Sequence, residues 1–287
     1  MIIIGISSFF HDSAVTLLID GVICEAVQEE RFTRIKHDPG FPIESLRYIF
    51  KKYNLNPKQI DYIVFFEKPF VKFERLIETY LAFVPKGFQS FRKAMPIWIG
   101  EKLFLKKNII KNLKEVFKHD FSKIIRFSEH HISHAASAFF PSPYEEALIL
   151  TIDGVGEWTT TSVALGNKNE IKVLKEINYP HSLGLLYSAF TFYLGFRVNS
   201  GEYKVMGLAP YGVPKYKDLI LKKLIDLKED GSFMLDQSYF NYSTGLTMIS
   251  KKFARLFGHE PREFDSEEIT QFHMDISASI QKVLEEI

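Results

Sequence analysis

Residues 2–27 have the sequence Ile-Ile-Ile-Gly-Ile-Ser-Ser-Phe-Phe-His-Asp-Ser-Ala-Val-Thr-Leu-Leu-Ile-Asp-Gly-Val-Ile-Cys-Glu-Ala-Val. Two runs rich in aliphatic and β-branched residues, 2–6 and 13–19, flank a short polar turn, a pattern typical of β-strands. The pair Asp20-Gly21 then favours a tight hairpin turn before a third strand over residues 22–27. The chain is therefore predicted to begin with an antiparallel meander of three strands.

A second meander is predicted further along the chain. An apolar run over residues 147–152 is followed by a glycine-containing turn, a strand over 159–165, another turn and a strand over 171–174. Ribonuclease-H-like lobes, the units of the actin and sugar-kinase folds, begin with such a meander, and their first loop faces the cleft. This repeat of architecture predicts an α/β protein with two lobes and an actin-like (ASKHA) fold. The first loop here carries His11 and Asp12.

A histidine pair lies on a predicted helix between the two meanders. Residues 128–139 are Ser-Glu-His-His-Ile-Ser-His-Ala-Ala-Ser-Ala-Phe, in which Ser128 is the predicted N-cap and the alanines favour helix. His130 and His134 are four residues apart on one helical face, a spacing that suits shared binding of one metal ion. The alternative is two ordinary helical histidines. His131 points about 100° away from that face and is expected to be a surface residue or a neighbour of the ligands.

An aspartate is the candidate third ligand. The run 147–152 is apolar and β-branched, which predicts a buried strand, and it leads directly into Asp153-Gly154-Val155-Gly156-Glu157. A carboxylate at the carboxyl end of a buried strand is well placed to bind a metal or to approach a phosphate, and the glycines permit close backbone approach. The alternative is a turn aspartate that ends a strand. Two imidazoles and a carboxylate suit Fe, Mn or Zn as a divalent ion and do not select among them.

Composition restricts the class of protein. The 287 residues exceed one typical domain, and a hydrophobic fraction of 46% is ample for large cores. The balance of 36 Lys and Arg against 35 Asp and Glu argues against a nucleic-acid or membrane partner. Cys24 is the only cysteine, which excludes an internal disulfide and suits a reducing compartment. The first residues lack the features of a signal peptide, so a cytoplasmic protein is expected.

The remaining segments give more general predictions. Dense charge in residues 29–38 favours a solvated surface loop, and residues 70–120 are expected to be mostly helical. Ser182 is predicted to cap a helix that ends at Leu194. Residues 199–212 are punctuated by glycines and are expected to form a loop; such a loop can close over a ligand, although most are only turns. A final helix is expected from Asp265, with Glu268 completing a capping box.

Five segments, in this order along the chain, resemble one known family. These segments are Ile4-Gly5-Ile6 with His11-Asp12-Ser13-Ala14, then residues 29–42, 130–139, 153–157 and 201–212. They look like the O-carbamoyltransferases of the nodulation and antibiotic-biosynthesis type. The chain is more distantly similar to the tRNA threonylcarbamoyl-transferring proteins, which share the His-x-x-x-His pattern and the actin-like fold.

The resemblance implies an enzyme and a metal site. In that family carbamoyl phosphate and ATP give carbamoyl adenylate, and a hydroxyl group of a small-molecule or sugar acceptor takes the carbamoyl group at a metal in the actin-like domain. The ligands implied here are His130, His134 and Asp153, with a further aspartate for which this sequence has no matching motif. The family's glycine-rich nucleotide loop has no match either.

The resemblance also suggests roles for other residues. His11 is the candidate general base, because imidazole titrates near neutral pH, although it could instead only orient Asp12 or a phosphate. Lys36 and Arg34 are candidates for phosphate contact, with surface solvation as the alternative. The residues assigned to nucleotide or cofactor binding are Gly154, Gly156, Glu157, Glu202 and Lys204.

The expected domain plan follows from these segments. Residues 1–143 form a first actin-like lobe with a helical insertion over 70–120 and a metal helix over 128–140. Residues 144–287 form a second lobe that we expect to be truncated, because the last helix is still periodic at Ile287, and the carbamoyl-adenylate-forming domain is expected to be absent. A homodimer is compatible with the sequence.

Two rival functions stay open. An actin-fold kinase for small molecules would need a glycine-rich phosphate loop where this chain has Phe9-Phe10-His11-Asp12. A truncated fragment that binds a metal or a nucleotide without turnover is the non-enzymatic alternative.

Overall fold

A computed structural model describes residues 1–99, 104–264 and 268–287. The chain divides into two compact units, one made of residues 1–73 and 96–133 and the other of residues 74–95 and 134–287. Both units combine helices with a β-sheet, so the predicted α/β class is confirmed. None of the helices in these described ranges is long and apolar enough to cross a bilayer.

The first unit is built on a five-stranded sheet. Its strands are β1 Ile2–Ser7, β2 Ala14–Ile19, β3 Val22–Gln28, β4 Tyr62–Phe65 and β5 Ile125–Phe127. The spatial order is β3-β2-β1-β4-β5, with an antiparallel meander of β1 to β3 and parallel pairing of β1 with β4 and of β4 with β5. Asp20 and Gly21 both have positive φ, 50° and 83°, as a type I′ hairpin turn requires. The predicted opening meander is therefore confirmed.

Among the described residues, six α-helices follow β3 in the sequence and precede the second predicted meander. They are α1 Glu30–Thr33, α2 Ile43–Lys52, α3 Pro69–Ala82, α4 Phe88–Ile97, α5 Leu105–Phe117 and α6 His130–Phe139. Three of them, α3, α4 and α6, have residues in both units. Helices α3 to α5 fall within the segment that was predicted to be mostly helical. The apolar faces of α2 and α5 cover the sheet, and Leu46 and Leu113 are buried in the same core as Ile4 and Ile63.

A buried carboxylate fixes the start of α2. Glu29 is only 3% exposed. It accepts hydrogen bonds from the backbone N–H groups of Glu44 and Ser45 at 2.9 and 2.8 Å and from the Ser45 hydroxyl at 2.6 Å. A carboxylate at a helix N-terminus satisfies N–H groups that lack helical partners and is favoured by the helix dipole. The prediction of a solvated surface loop over residues 29–38 is therefore wrong for Glu29, and for Asp38, which is also buried.

The second unit contains a three-stranded antiparallel sheet and a large helical core. Its elements are β6 Glu146–Ile152, β7 Thr159–Asn167, β8 Glu170–Asn178, α7 Leu183–Tyr193, α8 Glu202–Leu208, α9 Lys217–Leu224, β9 Ile225–Leu227, β10 Phe233–Leu235, α10 Lys251–Phe257 and α11 Gln271–Glu286. The order β6-β7-β8 confirms the second predicted meander. Ser182 caps α7 as predicted, with its hydroxyl accepting from the N–H of Leu185.

The prediction that β6 is a fully buried strand is wrong, because one face of β6 is exposed. Ile149 and Thr151 are buried, whereas Leu148, Leu150 and Ile152 are 72%, 64% and 51% exposed. An apolar run lacks the alternation that normally marks a strand covered on one face only. The sequence therefore could not indicate that one face of β6 is exposed in the described structure.

Two other predictions were wrong in the second unit. The expected loop over residues 199–212 contains α8 and a turn of 3₁₀-helix. The Glu202 carboxylate initiates α8, because it accepts from the backbone N–H groups of Asn199 and Gly201. Of the residues predicted to start the last helix, Asp265 lies outside the described residues, and Glu268 precedes the helix. Helix α11 begins instead after Thr270, whose N–H donates to Nδ1 of His273.

Helix α11 is anchored by a buried acid. Asp275 is 2% exposed and accepts from the backbone N–H of Val213 at 2.8 Å, from Lys215 Nζ at 2.6 Å and from Gln271 Nε2 at 2.9 Å. Burial alone would raise the pKa of the Asp275 carboxyl, but these hydrogen bonds outweigh it and hold the pKa below its ordinary value. The ionised form of Asp275 therefore stabilises the fold.

We expect the variant Asp275→Asn to be less stable than the wild type by about 1–3 kcal/mol at neutral pH. A carboxyl whose pKa is lowered on folding contributes stability above its unfolded-state pKa and loses that contribution as the pH falls through the folded-state pKa. The stability difference should therefore shrink in acid, which urea denaturation at a series of pH values will measure. Asp218→Asn, at a side chain 93% exposed, is the matched control with little expected change. A stability difference independent of pH would contradict the prediction.

Candidate metal centre

Helix α6 carries the histidine pair. The N–H of Ser133 bonds to the carbonyl of Glu129 at 2.8 Å, so Glu129 is the capping position and the helix begins at His130. The predicted N-cap, Ser128, lies one residue too early, because its own N–H donates to the carbonyl of Phe65 and extends the pairing of β5 with β4. The predicted helix is otherwise confirmed, but His131 is only 4% exposed, so the prediction that it could be a surface residue is wrong.

The three predicted ligands lie together. One ligand atom each from His130, His134 and Asp153 falls within a group whose members are all within 4.8 Å of one another. His134 Nε2 lies 3.9 Å from Asp153 Oδ2. The His130 side chain is 12% exposed, whereas those of His134 and Asp153 are 47% and 29% exposed. The group is therefore mostly covered at His130 and more exposed at the other two ligands.

These distances suit a divalent ion. An ion bound at about 2.1 Å brings opposite ligands to about 4.2 Å and neighbouring ligands closer. The group would contract by less than about 1 Å, which rotation of the exposed His134 side chain can supply. The donor set of two nitrogens and one oxygen fits Fe, Mn or Zn and leaves coordination positions for a substrate.

A carboxylate that sequence reasoning missed accompanies His130. The Nδ1 atom of His130 lies 3.9 Å from Oε2 of Glu67, which is 8% exposed and accepts from Lys72 Nζ at 2.7 Å. Carboxylates beside the second nitrogen of a ligating histidine commonly fix the tautomer and orientation of its ring. Glu67 follows β4 by two residues, so the rule that singled out Asp153, an acid just after a strand, could have found it.

The N-terminus of α7 holds the Asp153 backbone. The Ser182 hydroxyl lies 3.0 Å from the carbonyl oxygen of Asp153 and 2.6 Å from that of Gly154, while it accepts from the N–H of Leu185. Gly184 packs directly on the same peptide, since a Cβ there would lie 2.6 Å from the carbonyl oxygen of Asp153 and the nitrogen of Gly154. A residue that the sequence indicated only as a helix cap therefore also positions a candidate ligand.

The C-terminal part of α6 packs on the same sheet that carries Asp153. Ala135 and Phe139 form a buried cluster with Ile149 of β6 and Ala164 of β7. The Phe139 ring lies against the backbone of Gly166, where a Cβ would approach within 2.7 Å of the ring. This packing holds the end of α6 against the strands.

His11 and Asp12 are also brought together. They lie on the loop between β1 and β2, where His11 Nδ1 is 2.8 Å from Asp12 Oδ2. Lys36 is exposed on the loop that precedes His37. The catalytic roles of His11, Asp12 and Lys36 stay predictions.

The predicted cofactor-binding residues fall into two places in the second unit. Gly154, Gly156 and Glu157 follow β6, and the carbonyl of Gly156 accepts from the buried side chain of Arg75 at 3.1 Å. Glu202 and Lys204 lie in the first turn of α8. Arg75 also stacks over the Tyr179 ring at 5.1 Å and was not singled out by the sequence, since its partner lies 81 residues away.

A family comparison identifies the chain. The family described as carbamoyltransferase N-terminus matches residues 2–287. The chain belongs to that family. The resemblance stated from its five segments is therefore confirmed.

The chain is also similar to several curated proteins. The chain is 58% identical to uncharacterized protein sll1178 of Synechocystis, over 99% of its own length and 46% of that protein. It is 34% identical to nodulation protein NolNO of Sinorhizobium fredii, over 98% of this chain and 38% of that protein. It is 36% identical to nodulation protein NolO of Bradyrhizobium diazoefficiens, over 55% of this chain and 26% of that protein. The chain thus spans less than half the length of these relatives.

Replacing Gly184 with alanine tests whether α7 positions Asp153. The added methyl group would push the Asp153–Gly154 peptide away, so we expect overpacking to cost about 1–3 kcal/mol of stability. We also expect affinity for Zn²⁺ or Mn²⁺ to fall about 10-fold or more, as measured by calorimetric titration. Gly207→Ala in α8, where a Cβ meets nothing within 4 Å, is the control. Wild-type metal affinity in Gly184→Ala would show that α7 has no such role.

Proposed function

We propose that this chain carries the transfer site of a carbamoyltransferase, at which a divalent ion is bound by His130, His134 and Asp153. The observation that carries the proposal is the grouping of these three ligand atoms within 4.8 Å in a chain of the carbamoyltransferase N-terminus family. A bound ion would supply Lewis-acid stabilisation for charge that develops on a carbamoyl or phosphate oxygen.

We further propose that both units are lobes of a ribonuclease-H-like, actin-like fold. The sheet order β3-β2-β1-β4-β5, with an antiparallel meander followed by two parallel strands, supports this assignment for the first unit. The meander β6-β7-β8 supports it for the second unit. The lobes predicted from the sequence, 1–143 and 144–287, stay a prediction; they differ from the compact units, which include residues 74–95 and 134–143 in the second unit.

The proposed reaction transfers a carbamoyl group from carbamoyl phosphate, through an ATP-dependent carbamoyl adenylate, to a hydroxyl of a small-molecule or sugar acceptor. The carbamoyl carbon is a poor electrophile because nitrogen donates electrons into it, so adenylation supplies the better leaving group. The acceptor hydroxyl needs a base, for which His11 is the proposed residue. Lys36 is the proposed phosphate contact. The residues proposed to bind the nucleotide are Gly154, Gly156, Glu157, Glu202 and Lys204.

One assay separates this proposal from its two rivals. A carbamoyltransferase releases AMP from ATP only when carbamoyl phosphate and an acceptor are both supplied. A small-molecule kinase instead releases ADP without carbamoyl phosphate, and a binding fragment releases neither. The assay should compare the 287-residue chain with the longest natural form of the protein. The reason is that the curated relatives are more than twice as long as the region that matches this chain.

The metal role is tested by His130→Ala and His134→Ala. Each variant removes one of three protein ligands, so we expect affinity for Zn²⁺ or Mn²⁺ to fall by about 100-fold or more in calorimetric titrations of the chain. Metal-dependent carbamoylation by the longest natural form should be abolished. His119→Ala, on an imidazole that packs against Phe121 away from the candidate ligands, is the matched control. Unchanged metal affinity in both variants would rule out the proposed site.

A further inference from the structure

Two imidazoles share one carboxylate in the first unit. Asp12 Oδ2 is 2.8 Å from His11 Nδ1, and Asp12 Oδ1 is 3.0 Å from His37 Nδ1. Each carboxylate oxygen therefore serves one ring, and both rings use the same nitrogen. His37 is 25 residues from Asp12 in the chain, so no local pattern indicates that the two side chains meet.

The backbone builds this arrangement from two loops. The N–H groups of Phe9 and Ser13 bond to the carbonyls of Pro39 and Asp38 at 2.8 and 2.9 Å, which joins the loop after β1 to the loop after α1. The buried carboxylate of Asp38 accepts from Gly40 N and Thr33 Oγ1, so the second loop is itself fixed.

Asp12 and His37 both lie in the left-handed region, with φ of 49° and 57°. Non-glycine residues adopt that conformation at a cost, and surrounding contacts must hold them there. The bonds between the two loops supply such contacts.

The hydrogen bonds define the protonation of both rings. Partial burial opposes ionisation of Asp12, but the hydrogen bonds from His37 and His11 outweigh it and hold the pKa of the carboxyl below its ordinary value. An ionised carboxylate only accepts, so each ring donates from Nδ1–H. A neutral ring with its proton on Nδ1 has its lone pair on Nε2. The side chains of His11 and His37 are 50% and 45% exposed, so neither ring is enclosed by the protein.

We propose that Asp12 and His37 are positioning residues for His11. His37 holds the Asp12 carboxylate in one orientation, and Asp12 holds the His11 ring in the tautomer whose Nε2 is basic. This assignment rests on the proposed carbamoyl transfer for its chemical outcome. The shared carboxylate itself does not depend on that function.

In the proposed transfer step, His11 takes the proton of the acceptor hydroxyl. The acceptor O–H bond breaks and its proton goes to His11 Nε2, while the acceptor oxygen forms a bond to the carbamoyl carbon. The bond from that carbon to the phosphate oxygen breaks, and its electron pair leaves with AMP. Asp12 stays ionised and stabilises the imidazolium that forms at His11.

Ring-nitrogen NMR of the ¹⁵N-labelled 287-residue chain tests the geometry without any assay of activity. We expect both His11 and His37 to populate mainly the Nδ1–H tautomer, which is the less common one for a free imidazole. In Asp12→Ala both rings should revert to mainly Nε2–H. The variants His11→Asn and His37→Asn assign the signals, since each removes one ring. Mainly Nε2–H tautomers in the wild-type chain would overturn the proposal.

Kinetics of the longest natural form test the positioning role. We expect His37→Ala to lower kcat about 10-fold with little change in KM for carbamoyl phosphate, and Asp12→Ala to lower kcat about 100-fold or more. His37→Asn keeps an N–H donor at the place of Nδ1 and should recover most of the rate that His37→Ala loses. His11→Asn keeps the contact with Asp12 but has no basic Nε2, so it should be inactive.

The two proposals fail in different ways. Equal rates for His37→Ala and the wild type, in an active protein, would overturn the role of His37 alone. A wild type that transfers no carbamoyl group would contradict the proposed function. The tautomer measurement would then still decide whether Asp12 binds both rings. His119→Ala is the control for the loss of a histidine elsewhere in the same unit.

Discussion

The contact between the first turn of α7 and the Asp153–Gly154 peptide is the constraint on which the candidate metal centre depends. Asp153 lies just beyond the end of β6, where a short loop alone would leave its backbone free to move. The Ser182 hydroxyl both caps α7 and lies within hydrogen-bonding distance of the two carbonyls of that loop. A cap of this kind is typically worth about 1 kcal/mol to the helix. Here the same hydroxyl also holds the backbone of the candidate ligand Asp153.

In the first unit a loop is held in place by different contacts. The loop that carries the candidate catalytic residues His11 and Asp12 packs against the loop after α1 rather than against a helix. Two backbone hydrogen bonds join the loops, and a buried Asp38 stiffens the second one. In both units, contacts remote in sequence hold a short loop that carries candidate site residues, Asp153 in one unit and His11 with Asp12 in the other. Rigid support of this kind lets exposed side chains keep a defined geometry.

Local signals in the sequence predicted most of the fold and the three candidate ligands. The aliphatic and β-branched runs of the opening strands, the Asp20-Gly21 turn and the i,i+4 histidine spacing are properties of neighbouring residues, so no knowledge of the tertiary structure was needed. Contacts between residues far apart in the chain gave no such local signal. Glu29 caps a helix that begins 14 residues later, and Arg75 binds a carbonyl 81 residues away.

Burial was harder to predict than secondary structure for the same reason. The apolar run of β6 correctly predicted a strand, but what covers each face is decided by other elements. In the described structure α6 and β7 bury Ile149, while Leu148 and Leu150 stay exposed. The glycine-rich segment over residues 199–212 shows the converse case. Its glycines suggested a loop, but one carboxylate, that of Glu202, satisfies the N–H groups before α8 and allows a helix to start.

The exposure of the three candidate ligands divides the site into a fixed part and an adjustable part. The His130 ring is enclosed by Glu67 and by the ring of Phe66, whose centroid is 5.6 Å away. The Asp153 backbone is held by α7. His134 alone combines a fixed backbone, one helical turn from His130, with a side chain that is nearly half exposed. Because rotation of one exposed side chain costs little compared with moving a packed helix or a held peptide, capture of an ion should draw His134 inwards and leave the rest of the site in place.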